Sequence, residues 1–510
     1  MSFDPDLKAI QEVRDALGAA HSAQKQFAET DQAQVDQIVG AMAHAARNEI
    51  ESLARLAVEE TGMGIYEDKI GKNRFAAVDV YEHIRSMRTV GILSESTERG
   101  IVEIAQPMGV VAAIIPTTNP TSTAIYKILI SVKARNGIVI SPHPRAKGCI
   151  RRTTELMVHA ARGAGAPDRL ISCLENPTLE STQHLMSHDL TAVILATGGS
   201  GLVKAAYSSG KPAFGVGPGN VPAYIDRSAD VAKACRDIIT GTAFDNGTIC
   251  ASEQSVVVDA PVEEEALRSF EAAGGYILSP EEKARLEPIV VKKSGAVDPA
   301  IVGQHARDIA RKAGIQVPEG TKALIARLDR VGKTEEPLSI EKLSPILGFY
   351  VVADWVRGCE RCIELLRLGG MGHTLAIHAT DESVIREFGL KKPVFRIVVN
   401  TPSTHGAIGL STGLAPAMTL GCGAVGGNIT GDNVSPLHLI NTKRLAYGIK
   451  EVELAPRASE GGLRADGRVG PTCRSEASAG VDAGASVGHA LSESDIERIV
   501  EDFLRERRSG

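Results

Sequence analysis

The chain has 510 residues, a hydrophobic fraction of 43%, a charged fraction of 23% and a net charge of −6, the balance of a soluble globular protein long enough for two or three domains. Charges of both signs are mixed and aromatics make up only 4%, which argues against the basic stripe and base-stacking platforms of a nucleic-acid binder. The start, MSFDPDLKAIQEV, has no apolar core of the signal-peptide kind, and the longest apolar run, Val110 to Ile115, is too short to span a membrane.

Residues 5 to 60 read as helix, with Leu7, Ile10, Val13 and Leu17 on a helical period. Gly62 and Gly64 break the run, and 66 to 88 read as a further helix, mostly charged with a thin apolar stripe. From Ile101 the texture changes. GIVEIAQPMG alternates like a strand, and GVVAAIIP is a continuous apolar strand of the kind buried on both faces of a parallel sheet. A capped helix (TTNPTSTAIYKILISVKARN), the strand GIVIS, another helix, and the strands LISCL and TAVILA follow. This alternation predicts a doubly wound α/β fold. Beyond a Gly- and Pro-rich stretch and a helix over 229–243, strands are expected at 255–258, 346–352, 374–378 and 395–399, forming a second α/β domain. The glycine-rich stretch 406–431 reads as loops lining a site.

Residues 457–489 are small and polar and read as a flexible linker. ALSESDIERIVEDFLRERR then returns as an amphipathic helix over 490–508: Ile496, Ile499, Val500, Phe503 and Leu504 share one face, and acidic residues precede arginines.

Eight cysteines lie far apart in the sequence, at 149, 173, 235, 250, 359, 362, 422 and 473. They form no disulfide framework, so a reducing cytosol is expected. Cys359 and Cys362 make a CxxC inside a helix-like run, with no second CxxC and no clustered histidine, and no metal site is expected. Cys250 is different. It sits in FDNGTICASEQS, between the turn Asp245-Asn246-Gly247 and a β-branched run. A thiol there is placed to be a nucleophile, the alternative being a packed structural cysteine.

A thiolate makes an aldehyde carbonyl tetrahedral, and the C–H of the thiohemiacetal can then leave as hydride to a nicotinamide, giving a thioester. The oxyanion needs donors. Asn119, at the carboxyl end of the strand ending at Ile115, and the N–H of Cys250 are candidates, Asn119 being equally readable as a turn residue before Pro120. A nicotinamide cofactor also needs a phosphate-handling loop. LATGGSG (195–201) follows a strand and opens a helix, FGVGPGN (214–220) has alternating glycines, and SPHPRAK (141–147) offers a histidine and an arginine, or is merely a solvated loop.

In this order PTTNPTS, SPHPRA, ATGGSG, GVGPGNVPAY, FDNGTICASEQ, EKLSPIL, GGMGHT and GDNVSPLHLINTKRLAYG resemble the coenzyme-A-acylating branch of the aldehyde dehydrogenase superfamily, over roughly residues 5–450. The resemblance implies the aldehyde dehydrogenase fold. A Rossmann-like NAD-binding domain would cover 1–240, and a catalytic α/β domain 241–430. A small oligomerisation element would be built from the strand 100–106 and the segment 430–450. It makes Cys250 the nucleophile, Asn119 the oxyanion donor and His373 an assistant to thiol or CoA chemistry. Glu341 would hold the nicotinamide ribose. Pro142, His143 and Arg145 would lie at the adenosine, and Thr197, Gly198, Gly199, Ser200 and Gly217 near the cofactor phosphates. NAD is the implied cofactor, NADP being compatible with Arg145, and CoA the co-substrate. The partners implied are a short-chain aldehyde and further copies of the chain in a homodimer or homotetramer.

One departure from hydrolytic members bears on the reaction. Those carry a water-activating glutamate in an ELGGK-type segment, whereas GVGPGN has no acid between Phe214 and Val221. A thiol, a few per cent ionised at neutral pH, needs less help than water as acyl acceptor. The expected reaction is therefore aldehyde + CoA + NAD⁺ → acyl-CoA + NADH. The alternatives are a hydrolytic dehydrogenase and a non-catalytic scaffold. The alcohol-dehydrogenase half of bifunctional members is not expected here. The linker and terminal helix resemble the encapsulation peptides of bacterial microcompartment cargo, which implies shell-protein partners and a cytoplasmic, encapsulated location.

Overall fold

Val110–Ile115 is six apolar residues long and every one is buried, so the strand has no solvent face and needs cover on both sides. In the computed structural model, which describes residues 4–452, it pairs in parallel with Gly137–Pro142 on one side and Thr191–Thr197 on the other. Its alternate residues serve two cores. Val110, Ala112 and Ile114 pack with Val13, Leu17 and Ala20 of the helix Pro5–Phe27. Val111, Ala113 and Ile115 pack with Ile125, Ile128 and Leu129 of Pro120–Lys133, a helix buried along its whole length. The period of two along a strand produces this division. Ile171–Cys173 and Ala213–Val216 complete a five-stranded parallel sheet. Strand order reverses between Val110–Ile115 and Thr191–Thr197, the place where a doubly wound sheet opens a crevice at its carboxyl ends.

A second parallel sheet has seven strands, in the order Gly275–Ile277, Ala323–Arg327, Ile346–Val352, Glu253–Asp259, Val221–Ile225, Gly372–His378 and Val394–Val399. A third, antiparallel, joins Ile92–Ser96, Ile101–Pro107 and Ile440–Ala446.

The structure differs from the sequence reading in three places. The domain boundary expected at 240 moves: Val221–Ile225 pairs with Glu253–Asp259 and Gly372–His378, and Val231–Ala243 packs over that same sheet. The passage from first to second sheet therefore falls between Val216 and Val221. The Gly/Pro-rich stretch had hidden two short strands, because breakers flank each of them. Gly275–Ile277 and Ala323–Arg327 also escape the periodicity, the former being only three residues long. Finally, 66–88 is not one continuous α-helix. It runs as Tyr66–Arg74, a π-turn over Phe75–Asp79, and Val80–Ile84, and its Lys69, Lys72 and Asn73 are buried. The expected linker 457–489 and helix 490–508 lie outside the described residues. Among the described residues no helix is long and apolar enough to cross a membrane.

Candidate active site

The cysteine loop begins where Val231–Ala243 ends. Asp245 and Asn246 take left-handed backbone angles (φ 50° and 54°) and Gly247 follows at 73°. Asp and Asn tolerate this region better than most residues, and specific bonds offset its cost. Asp245 Oδ1 accepts the N–H of Ile65 at 2.7 Å. Gly64 makes that approach feasible, since a Cβ there would lie 2.0 Å from Asp245 Oδ1. Asn246 Nδ2 donates to Gly303 O at 2.9 Å. The reversal delivers Thr248, Ile249 and Cys250 to the amino end of Glu253–Asp259.

Cys250 is half-buried and unpaired. Burial pushes its thiol up to about 12, with the Glu341 carboxylate and Cys422 adding to the rise. Arg396 and the cysteine's own N–H oppose it. The resting thiol is therefore protonated, and charge on it has to be stabilised locally.

Asn119 is the N-cap of Pro120–Lys133, but its side chain does not cap that helix. It faces the cysteine loop instead. Nδ2 donates to Thr248 O and to Thr118 Oγ1, both at 3.1 Å, while Oδ1 accepts from Lys72 Nζ at 2.6 Å. Because an ammonium can only donate, the lysine settles which way the amide points.

A cavity of about 690 Å³ brings together Asn119, Pro142, His143, Arg145, Thr197, Gly198, Gly199, Gly217, Cys250 and Glu341. Its first half is the row of loops at the carboxyl ends of the five-stranded sheet, which is where that topology places a ligand. Gly198 and Gly199 stand between Thr191–Thr197 and the helix Ser200–Tyr207, so backbone can approach a phosphate at a helix N-terminus. The Thr197 hydroxyl is buried without a hydrogen-bond partner among the described residues. Apolar walls come from Ile249, Leu343 and, out of the glycine-rich stretch, Ile408, Met418 and Leu420. These features fit a nicotinamide dinucleotide: a bare glycine turn, an unsatisfied hydroxyl and an exposed arginine, Arg145, at the far end.

Two expected residues do not line this cavity. Ser200 is exposed on the first turn of its helix, and His373 is fully buried behind Gly219. Its Nδ1 lies 2.9 Å from Thr374 Oγ1, which accepts from Arg396 Nε at 3.4 Å. Nε2 has no partner among the described residues. Burial, and secondarily Arg396, push His373 down to about 3. It is a neutral imidazole at any working pH.

Glu341 does line the cavity. Burial raises its carboxyl to about 7, against the N–H of Gly219, which donates to Oε1 at 2.8 Å. The adjacent Lys342 is anchored by the carbonyls of Gln254, Leu338 and Ile340, which ties this segment to the strand that carries the cysteine loop.

Sequence reasoning missed Lys69, Lys72, Asp245, Gly219 and Arg396. A signal for the lysines was present: Lys69, Lys72, Asn73, Ala76, Val80 and Ile84 continue one helical face, and cations on an otherwise apolar stripe are buried cations. Arg396 sits mid-strand, where period two alone does not distinguish an inward arginine from a surface one.

Residues 6–291 match the family model described as the aldehyde dehydrogenase family. Among curated proteins the chain is 45% identical over 442 residues to the bifunctional aldehyde-alcohol dehydrogenase AdhE of Escherichia coli K12, covering 86% of this chain and 49% of that protein. It thus spans about half the length of the first curated relatives it matches. An acetylating aldehyde dehydrogenase from Geobacillus thermoglucosidasius superposes with a TM-score of 0.87 at 52% identity, covering 89% of this chain and all of that one. Propionaldehyde dehydrogenases superpose at 29% identity, covering 85% of this chain and 97% of theirs. One is from a Clostridium phytofermentans fucose-utilisation microcompartment (TM-score 0.78), the other from Rhodopseudomonas palustris with bound CoA and an acylated cysteine (TM-score 0.77).

Proposed function

The chain belongs to the aldehyde dehydrogenase family, and from that premise we propose that it is a CoA-acylating aldehyde dehydrogenase converting a short aldehyde, CoA and NAD⁺ to acyl-CoA and NADH. Cys250 is the nucleophile. Its Sγ attacks the aldehyde carbon as the thiol proton leaves to solvent in the open cavity, the C=O π pair moves to oxygen, and Asn119 Nδ2 and the Cys250 N–H receive the oxyanion. A bound nicotinamide would supply the hydride acceptor; Glu341 would hold its ribose, and the loops at 142–145 and 197–199 would take the adenosine and phosphates. Collapse of the oxyanion expels hydride and leaves an acyl thioester on Cys250. The CoA thiolate attacks that thioester, the C–Sγ bond breaks, and acyl-CoA leaves. His373, buried and neutral behind Gly219, assists indirectly, through the packing around Gly219, rather than as a base.

One observation carries the preference for CoA over water. Among the described residues, Glu341 is the only carboxylate lining the cavity around Cys250, and its Oε1 is occupied by Gly219 N–H. The apolar lining near the thiol suits acetaldehyde or propionaldehyde. The deciding experiment mixes protein, propionaldehyde and NAD⁺ with and without CoA. With CoA, NADH and propionyl-CoA accumulate together. Without it, NADH stops at about one equivalent per Cys250, the burst expected of a stalled acyl-enzyme. Steady NADH formation without CoA would instead assign hydrolysis, with Glu341 as the water-activating base.

The chain is also proposed to assemble as a homodimer or homotetramer. Ile440–Ala446 is a sheet edge exposed along six of its seven residues, and Val394–Val399, the edge of the large sheet, exposes Phe395 and Val399. Such edges invite pairing. Light scattering on the purified protein tests this. The terminal segment 490–508, expected from its sequence to be an amphipathic helix, is proposed to dock on microcompartment shell proteins. Its sequence pattern and the similarity to a microcompartment propionaldehyde dehydrogenase support that reading and a cytoplasmic, encapsulated location.

A further inference from the structure

Beneath the cysteine loop lie charged groups that the mechanism above does not use. Lys69 and Lys72 are 2% exposed and Asp245 is fully buried. The two lysines stand three residues apart on Tyr66–Arg74, so they share one face. Lys69 Nζ donates to Asp245 Oδ2 at 2.7 Å and to Thr118 O at 2.6 Å. Lys72 Nζ also bonds Asp245 Oδ2, and in addition Asn119 Oδ1 at 2.6 Å and Thr248 Oγ1 at 2.9 Å. The half-buried carboxylate of Asp68 accepts the N–H of Asp245 at 2.7 Å, and the Phe244 ring lies 5.6 Å from Lys72 Nζ.

The three donors of Lys72 thus meet three acceptors: the loop's carboxylate, the loop's threonine and the amide of Asn119. Of the two lysines only Lys72 touches Asn119. A cation left unpaired in such a place is strongly unfavourable, and one matched this fully orders everything around it. It also acts on Asn119 chemically. A charge-assisted bond to Oδ1 draws electron density from the amide and makes its N–H groups stronger donors. In this structure both Nδ2 hydrogens are taken, one by Thr248 O and one by Thr118 Oγ1. The threonine hydroxyl is the exchangeable partner, because it can rotate away and serve as a donor itself.

We propose that Lys72 is a positioning residue for the oxyanion: its ammonium fixes and polarises the Asn119 amide so that one Nδ2–H turns from Thr118 to the oxygen formed when Cys250 adds to the aldehyde. This rests on the roles assigned above to Cys250 and Asn119.

The test compares two reactions of the same thiol. Addition to an aldehyde creates an oxyanion, whereas displacement on iodoacetamide does not. In Lys72→Met, propionaldehyde turnover should fall about 10- to 100-fold in kcat, somewhat less than direct loss of an oxyanion donor. KM for NAD⁺ and the rate of Cys250 alkylation should each stay within about twofold. Lys72→Arg, which keeps the cation but not its compact geometry, should recover part of the loss. A folded Lys72→Met protein with turnover within twofold of wild type overturns the proposal. So does a parallel loss of turnover and alkylation, which would mark the lysine as a mere support for the loop. If Lys72→Met does not fold, Lys72→Arg against wild type decides on the same contrast, with reduced turnover and unchanged alkylation expected. Absence of CoA-dependent turnover in the wild type would overturn the underlying reading instead, so the two failures are distinguishable.

Discussion

Gly219 donates its backbone N–H to Glu341 Oε1 at 2.8 Å, and a Cβ on the same glycine would lie 2.0 Å from Cys250 O. One residue without a side chain therefore joins the Glu341 carboxylate to the Cys250 backbone. Gly219→Ala would push against backbone rather than a flexible side chain. Such overpacking costs about 1–3 kcal/mol or more, and here it would displace Cys250. The expected result is a folded but less stable protein with turnover lowered at least about tenfold, read from urea melts and initial rates together. Normal activity would mean that the loop yields without moving the thiol.

Glu341 lies close enough to Cys250 for its charge to raise the thiol. Glu341→Gln keeps an acceptor for Gly219 N–H and removes the charge. The pH profile of Cys250 alkylation should shift toward acid. KM for NAD⁺ should rise about tenfold, the scale of one hydrogen bond to a charged group. Superimposable alkylation profiles for the two proteins would separate this carboxylate from the thiol.

The seven described cysteines differ in access: Cys173 and Cys250 are half-buried, and the others are buried. Iodoacetamide on the native protein, in a Cys473→Ser background, should label these two first. Propionaldehyde with NAD⁺ and no CoA should then protect Cys250, as the acyl-enzyme, and leave Cys173 reactive. Peptide mass spectrometry reads both sites in one run. Equal labelling of Cys250 with and without aldehyde would count against an accumulating thioester.

Glu253 opens the strand behind the cysteine loop and is fully buried. Its Oε1 accepts Ser403 N–H at 2.6 Å, while Oε2 has no partner among the described residues. Burial raises the carboxyl to about 8, against the Ser403 bond. Between its ordinary value near 4.5 and 8 the folded state holds a proton that the unfolded chain has released. Stability therefore falls as pH rises through that window, by at most about 1.4 kcal/mol per unit. Glu253→Gln should flatten this slope and be the more stable protein at pH 8.5. Urea midpoints at pH 5, 7 and 8.5 check it, and an unchanged slope would assign the pH dependence to other groups.

Deleting residues 457–510 should leave turnover within about twofold of the full chain, since the described residues lining the cavity run from Met63 to Leu420. The same deletion should abolish co-purification with co-expressed shell proteins. Lost activity would place the terminal segment in the catalytic unit instead.

The features legible in the sequence are local ones. A turn at Asp245-Asn246-Gly247 needs only residues that accept left-handed angles. The all-buried strand Val110–Ile115 is visible as an apolar run, and Asn119 before Pro120 as the start of a helix. Each follows from neighbours a few positions away. The family resemblance adds site residues without saying which of them meet. Ser200 and His373 show the limit, since a motif places residues near a site without deciding whether their side chains enter it.

What the tertiary structure decided is which distant groups share a buried space. Lys72 and Asn119 are 47 residues apart, Lys69 and Asp245 are 176, and Gly219 and Glu341 are 122. The helix Tyr66–Arg74 looks like a charged surface helix until the cysteine loop closes over it. Whether a lysine is solvated or buried depends on acceptors supplied by other elements, and hydrophobic periodicity carries no record of them. The sequence by itself determined that a thiol stands on a loop between a turn and a β-branched strand, with no acid in the GVGPGN segment. Only the packing of those sheets decided that a buried, fully bonded cation stands behind Asn119, because that arrangement depends on contacts between segments whose separation no local pattern encodes.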